Sequence, residues 1–475
     1  MNDLLRLSLI EIRNAIADKR VSATEVTKAA LGRIDEAKDL NAVLTVDREG
    51  ALAAAKAADE KIGRGESAGV LGGVPILVKD NISTKGVRTT CASKFIENYI
   101  PPFDATVVKK LKEAGAVILG KTNMDEFAMG SSNENSAFGP VKNAVDPTRV
   151  PGGSSGGSAS AVAAFEAYGS LGSDTGGSIR QPASFCGVVG LKPTYSAVSR
   201  YGLIAFASSL DQIGPLTRTV ADNALLFDVI AGHDPLDSTS APTKENYTDY
   251  SLGVKGLTIG LPKEFFEKDF SPVVREKVMN AAAFYERAGA RLKEVSISSF
   301  DAALATYYVL ACAEASSNLA RFDGVKYGKR VEGADYIDTY YKSRTAGFGA
   351  EVKRRIMIGN YVLSSGYYDA YYLKASKVRT KIKADFDAAL GECDFILGPT
   401  SPTTAFEIGK KVKDVTETYT SDIFTVPVNI AGLPAISIPC GKDDKGLPVG
   451  LQLIGRAFGE KALFGAAETF EKENA

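Results

Sequence analysis

Apolar positions in the first sixty residues recur at helical spacing. Ser22 followed by Glu25 is a capping-box pattern, and Val26, Ala30 and Ile34 then share one face, which predicts a helix beginning just after Ser22. The alanine-rich stretch Ala51–Ile62 predicts a second. Further on, the texture changes to short apolar runs alternating with helical segments. Val74–Val78, Ala116–Leu119, Leu257–Leu261 and Phe395–Leu397 read as buried strands, and Val107–Ala114 and Ala221–Ile230 as helices. Ala435–Ile438 and Val449–Ile454 read as a late strand pair. The apolar stretch Thr425–Cys440 contains Asn429 and three prolines; it is too short and broken to cross a bilayer and reads as strand, turn, strand. Such alternation indicates an α/β fold around a buried, mostly parallel or mixed sheet. No Pro- or Ser-rich linker and no solenoid-length repeat divides the chain, so residues 1–475 are expected to form a single domain. Within it, N-terminal helices occupy about 1–65, a polar surface excursion 236–256, and a Tyr-rich helical region about 265–390 that caps the sheet.

Composition narrows the chemistry. Lys+Arg is 56 and Asp+Glu 57, a net charge of -1 that argues against a free-standing electrostatic binder of nucleic acid or anionic membrane. The single histidine, His233, follows a helix-stop glycine and reads as a surface loop residue. It cannot supply a multi-histidine metal site. The five cysteines are scattered, the nearest two being Cys393 and Cys440, so neither a disulfide framework nor a zinc site is expected, and a reducing cytoplasm fits. The N-terminus, which reaches Glu11 and Arg13 early, has no signal-peptide core.

Residues 151–160 read Pro-Gly-Gly-Ser-Ser-Gly-Gly-Ser-Ala-Ser, and 172–182 read Gly-Ser-Asp-Thr-Gly-Gly-Ser-Ile-Arg-Gln-Pro. A flexible linker is the plain interpretation. Linkers, however, are not followed by Ala161-Val162-Ala163-Ala164 or flanked by Val150 and Leu171. Gly172–Ser178 instead predicts a tight loop whose N–H groups converge on one point, suited to an oxyanion. A phosphate is disfavoured because no Gly-Lys-Ser/Thr ending follows. With histidine nearly absent, the base for a serine nucleophile must be Lys, Asp or Glu. Lys79 follows the apolar strand Val74–Val78; by position alone such a lysine is ordinarily a solvated surface residue.

Val78-Lys79-Asp80-Asn81 with Thr89-Thr90, Gly152–Ser158, and Asp174–Pro182, at their mutual spacing, resemble the amidase signature family. The resemblance implies a large mixed β-sheet covered by helices on both faces, and a Ser-cisSer-Lys triad. Ser178 resembles the nucleophile that forms the acyl ester, Ser154 the bridging serine after a cis peptide bond, and Lys79 the base. For Lys79 to be neutral at pH 7, its pKa must fall by about three, at about 4 kcal/mol. Backbone N–H groups of Thr175, Gly176, Gly177 and Ser178 resemble the oxyanion hole. Ser155, Ser158, Asp174 and Arg180 are expected to order the loops.

Further segments, among them Asn133–Ser136, Val198–Leu203, Ser208–Gln212 and Ala320–Gly324, resemble the branch of the family that forms the glutaminase subunits of tRNA-dependent amidotransferases. That branch implies glutamine as substrate, with Arg355 clamping its α-carboxylate, Asp422 pairing with its ammonium, and Tyr307 or Tyr308 lining the pocket. It implies no cofactor in this chain. ATP, with Mg, is used by a partner, the B subunit, which amidates Glu-tRNA(Gln) to Gln-tRNA(Gln), and a small C subunit completes a heterotrimer in the cytoplasm, away from membranes. A stand-alone amidase acting on another small amide is the alternative. Two departures from the family pattern are Ser196-Ala197, where Gly-Arg is usual, and Ala144, where proline is common.

Overall fold

Strand order explains why the site lies where it does. The structure, a computed structural model, describes residues 3–242, 245–410 and 420–474. Among these, eleven strands form one mixed sheet: β1 (Val43–Val46), β2 (Pro75–Lys79), β3 (Val117–Thr122), β4 (Gly169–Asp174), β5 (Val189–Lys192), β6 (Gln212–Thr217), β7 (Thr258–Pro262), β8 (Arg291–Val295), β9 (Phe395–Pro399), β10 (Ala435–Lys442) and β11 (Pro448–Ile454). Their order is β1-β3-β2-β4-β6-β5-β10-β11-β9-β7-β8. β2 runs parallel to both β3 and β4, and β7 parallel to β8 and β9. The remaining pairs are antiparallel. Every residue of β2, β3, β4, β6, β9 and β11 is buried, so both faces are covered there; β2 and β9 read as apolar runs, whereas the glycines and polar residues of β4 and β6 hide them from the sequence pattern. β4 follows β3 in sequence but lies on the other side of β2, which opens a crevice at the carboxyl ends of β2 and β4.

The predicted N-terminal helix forms as Ala23–Glu36, with both halves of the Ser22/Glu25 capping box made. A second capping box, Ser8 with Glu11, opens the helix Leu9–Ala17. One expectation is overturned. The stretch from Thr425 does not begin as a strand: Val426–Ala431 is a short helix with proline in its first turn, stopped by Gly432 at φ 74° before β10. The region 265–390 holds the helices Pro272–Arg287, Phe300–Asn318, Tyr336–Gly347, Ala350–Leu363 and Lys374–Glu392, but also the edge strand β8. Ser196, at a usual glycine position, takes φ 80°. No helix among the described residues is long and apolar enough to cross a membrane.

Candidate active site

Lys79 ends β2 at the crevice, wholly buried. Its Nζ lies 2.7 Å from Ser155 Oγ, 2.8 Å from Ser154 Oγ, 3.0 Å from Ser173 Oγ and 3.2 Å from the Ser173 carbonyl. Burial pushes the amine down to about 7, against the raising influence of Asp125, Asp174 and Asp211. A neutral amine has one lone pair, so it can take a proton from a hydroxyl in this shell. Ser154 follows a cis peptide bond from Gly153, and its carbonyl accepts the Asp125 N–H at 3.2 Å. The helix Gly156–Ala163 begins two residues later, so the end of the serine-glycine island is a buried helix start, not a loop.

Ser178, 7% exposed, sits on the turn after β4, and its carbonyl accepts the Ser155 N–H at 3.1 Å. Asp174 organises this turn by accepting the N–H groups of Gly177 at 2.8 Å and Ile179 at 3.1 Å. Arg180 grips the same carboxylate through Nε at 3.0 Å and Nη2 at 3.1 Å, both side chains being fully buried. Burial pushes Asp174 up, but the Arg180 charge and hydrogen bonds outweigh it and hold the carboxyl at about 2. The Gly177 amide, expected in the oxyanion hole, donates here to Asp174. The amides of Thr175, Gly176 and Ser178 donate to no protein acceptor among the described residues and remain for that role. Only glycine fits at 176 and 177. A Cβ on Gly176 would lie 2.6 Å from the Tyr307 ring, and one on Gly177, at φ 138°, 2.2 Å from Thr425 Oγ1.

Tyr307, on Phe300–Asn318, thus packs directly on the turn beside the nucleophile. Arg355, 3% exposed on Ala350–Leu363, lies with its guanidinium 5.2 Å from the Tyr308 ring centroid and donates through Nε to Glu351 at 2.8 Å. Asp422, 6% exposed, accepts the Ser131 hydroxyl at 2.5 Å. Burial pushes its carboxyl up to about 7, against that hydrogen bond and the Arg355 charge. Tyr307 lies within electrostatic reach of both Arg355 and Asp422. Tyr308 instead faces Arg355. The structure thus brings Lys79, Ser154 and the Ser178 turn together in the crevice, with Tyr307, Arg355 and Asp422 alongside. The sequence alone points to no role for Asp125, Glu126, Ser131 and Ser173, and shows Gln181 only as part of the Asp174–Pro182 motif. The acidic pair Asp125-Glu126, beside Met124 and Phe127, was the one visible signal. His233 is an exposed loop residue, as expected.

A buried lysine hydrogen-bonded to a serine after a cis peptide bond, beside a glycine-rich serine turn, is the arrangement that defines an amidase class. The chain matches the Amidase family over residues 25–464 and belongs to that family. It is similar to the A subunit of the glutamyl-tRNA(Gln) amidotransferase of Carboxydothermus hydrogenoformans, with 59% identity covering 99% of this chain and 98% of that one. The crystal structure of the correspondingly named protein from Thermotoga maritima is similar at 45% identity and a TM-score of 0.82, covering 99% of this chain and 96% of that one. The peptide amidase of Stenotrophomonas maltophilia shares the fold at 31% identity and a TM-score of 0.84, covering 98% and 96%.

Proposed function

We propose that the chain acts as the glutamine-hydrolysing component of a glutamyl-tRNA(Gln) amidotransferase. Ammonia released here serves a partner, the B subunit, which uses ATP and Mg to convert Glu-tRNA(Gln) to Gln-tRNA(Gln), with the C subunit holding the pair together. The observation that carries this reading is that two buried groups of opposite charge, Arg355 and Asp422, lie within electrostatic reach of Tyr307, which packs on the Ser178 turn. A guanidinium and a carboxylate in one pocket fit the α-carboxylate and α-ammonium of an amino acid and leave its side-chain amide for Ser178. Neutral Lys79 takes a proton from Ser154, which takes one from Ser178 as its Oγ attacks the amide carbon. The oxyanion is met by the free amides of the turn. Collapse expels ammonia, protonated back along the same path, and water then cleaves the glutamyl ester to glutamate. Similarity over nearly full length to amidotransferase subunits supports the assignment of the ATP-dependent step to another chain. The net charge of -1, which offers no broad basic face for tRNA, supports it too.

An electrophilic glutamine analogue tests this directly. It is expected to label Ser178, mapped by mass spectrometry, and Ser178→Ala is expected to abolish both labelling and glutaminase activity. The assembled Ser178→Ala complex is expected still to amidate Glu-tRNA(Gln) when given free ammonia. Labelling at another residue overturns the assignment of the nucleophile, and amidation by the isolated chain overturns the division of labour.

A further inference from the structure

A chain of buried hydrogen bonds connects the substrate pocket to the triad. Ser131, 7% exposed, donates its hydroxyl to Asp422 Oδ2 at 2.5 Å. Its carbonyl accepts Nε2 of Gln181, which is fully buried, at 2.8 Å. Gln181 Oε1 in turn accepts the Gly153 N–H at 3.0 Å, one residue before Ser154. A second path runs alongside. The Asn133 N–H donates to Asp125 Oδ2 at 2.9 Å, Asn133 Oδ1 accepts the Gly157 N–H at 3.2 Å, and the Asp125 N–H holds the Ser154 carbonyl. Segment 131–133 is therefore fastened to Asp422 at one end and to both flanks of Ser154 at the other. The packing leaves no slack, since a Cβ on Gly152 would lie 2.5 Å from Gln181 Oε1, and one on Gly153 2.0 Å from Asp125 Oδ2.

We propose that Ser131 and Gln181 are positioning residues that couple occupancy of Asp422 by the substrate's α-ammonium to the placement of Ser154. This rests on the glutamine reading above and adds that the amino group governs turnover as well as binding. An ammonium beside Asp422 keeps the carboxylate ionised, hence an acceptor only, so the Ser131 hydroxyl must donate and the segment is fixed. With no ammonium, a protonated carboxyl lets that hydroxyl accept instead, and the constraint on Ser131 relaxes. Gln181 is suited to the link because one end of its amide donates while the other accepts. An ionised glutamate there could hold Gly153 but would repel the Ser131 carbonyl. Proton transfer between Ser178, Ser154 and Lys79 depends on sub-ångström placement, so such loosening lowers kcat.

The test compares glutamine with 4-carbamoylbutanoate, which is glutamine lacking its amino group, in the assembled enzyme. Steady-state kcat and KM are measured for the parent, Ser131→Ala, Ser131→Thr and Gln181→Glu. The ratio of kcat on glutamine to kcat on 4-carbamoylbutanoate is expected to fall roughly tenfold in Ser131→Ala and in Gln181→Glu, and to recover in Ser131→Thr. Equal losses on both substrates mean a merely structural role and overturn the proposal. So does a change confined to KM, or a Ser131→Ala enzyme with the parent's kcat on glutamine. Ser131→Ala deletes a single hydroxyl and decides the matter alone if Gln181→Glu fails to fold. A parent complex that hydrolyses neither amide overturns the glutamine reading itself, and this coupling with it.

Discussion

At the scale of single residues, the site depends on two groups held near their titration midpoints by burial. In the proposed mechanism Lys79 must be neutral to act and Asp422 ionised to receive an ammonium; burial brings both to about 7. The logarithm of kcat/KM, which reports the free enzyme, is therefore expected to fall below pH 7 with a limiting slope of about two. The slope for kcat is expected to be about one, because bound substrate keeps Asp422 charged. Asp422→Asn is expected to reduce the kcat/KM slope to about one, which a pH-rate series reads directly. Lys79→Arg is expected to be inactive although folded, since a guanidinium stays protonated. Gly177→Ala meets both a forbidden φ and Thr425. It is expected to destabilise by at least about 2 kcal/mol, read as a shift in the urea midpoint. The clustering of Lys79, Ser154 and the Ser178 turn was legible because the spacing of their motifs within a long signature is specific. The commitment of the Gly177 amide to Asp174 was not, since the glycine pattern does not say where each N–H points.

At the scale of elements, the helix Ala350–Leu363 that presents Arg355 is anchored from outside. Its N-cap, Gly349, has no side chain to cap with, and its N–H donates to Glu126 Oε2 at 2.8 Å, while the Ser93 hydroxyl donates to Oε1 at 2.5 Å. Burial pushes the Glu126 carboxyl up to about 7, against both hydrogen bonds. Below its unfolded value, near 4.5, folded and unfolded chains are both protonated there; as pH rises toward 7 the folded chain must bury a charge, so stability is lost across that window. A neutral amide escapes this. The melting temperature of Glu126→Gln relative to the parent is expected to rise between pH 5 and pH 8, by a few degrees at most; a gap that narrows contradicts the account. Glu126→Ala removes the acceptor and is expected to raise KM for glutamine by freeing the Arg355 helix. Strands β2, β3, β10 and β11 were readable from short, mostly apolar runs. Val426–Ala431 was not, because six residues with only Asn429 polar carry no decisive period, and the proline in its first turn and Gly432 become helix signals only once the neighbouring elements are in place.

At the scale of the whole molecule, the buried Arg180–Asp174 pair ties distant parts of the chain to the site. Arg180 also donates through Nη1 to Gln452 Oε1 at 2.6 Å and to the Thr425 carbonyl at 3.2 Å. Arg180→Met strands a buried carboxylate and is expected to cost about 3–5 kcal/mol, measured by denaturant unfolding. The sheet itself divides by sequence. Its six consecutive strands β1-β3-β2-β4-β6-β5 come from residues before 218, the other five from residues after 257, and the two sets meet only where β5 pairs with β10, Ser437 opposite Gly190 and Ala435 opposite Lys192. The chain passes from one set to the other through 236–256, whose described residues are largely exposed. Lys79, Ser154 and Ser178 lie before that passage; Tyr307, Arg355 and Asp422 lie after it. A cut there would yield two pieces, one bearing the proposed machinery of bond cleavage and the other the proposed means of choosing a substrate, each expected to be inert alone. Co-expressed, they are expected to zip together along the β5–β10 edge, so that glutamine hydrolysis becomes a readout of fragment complementation.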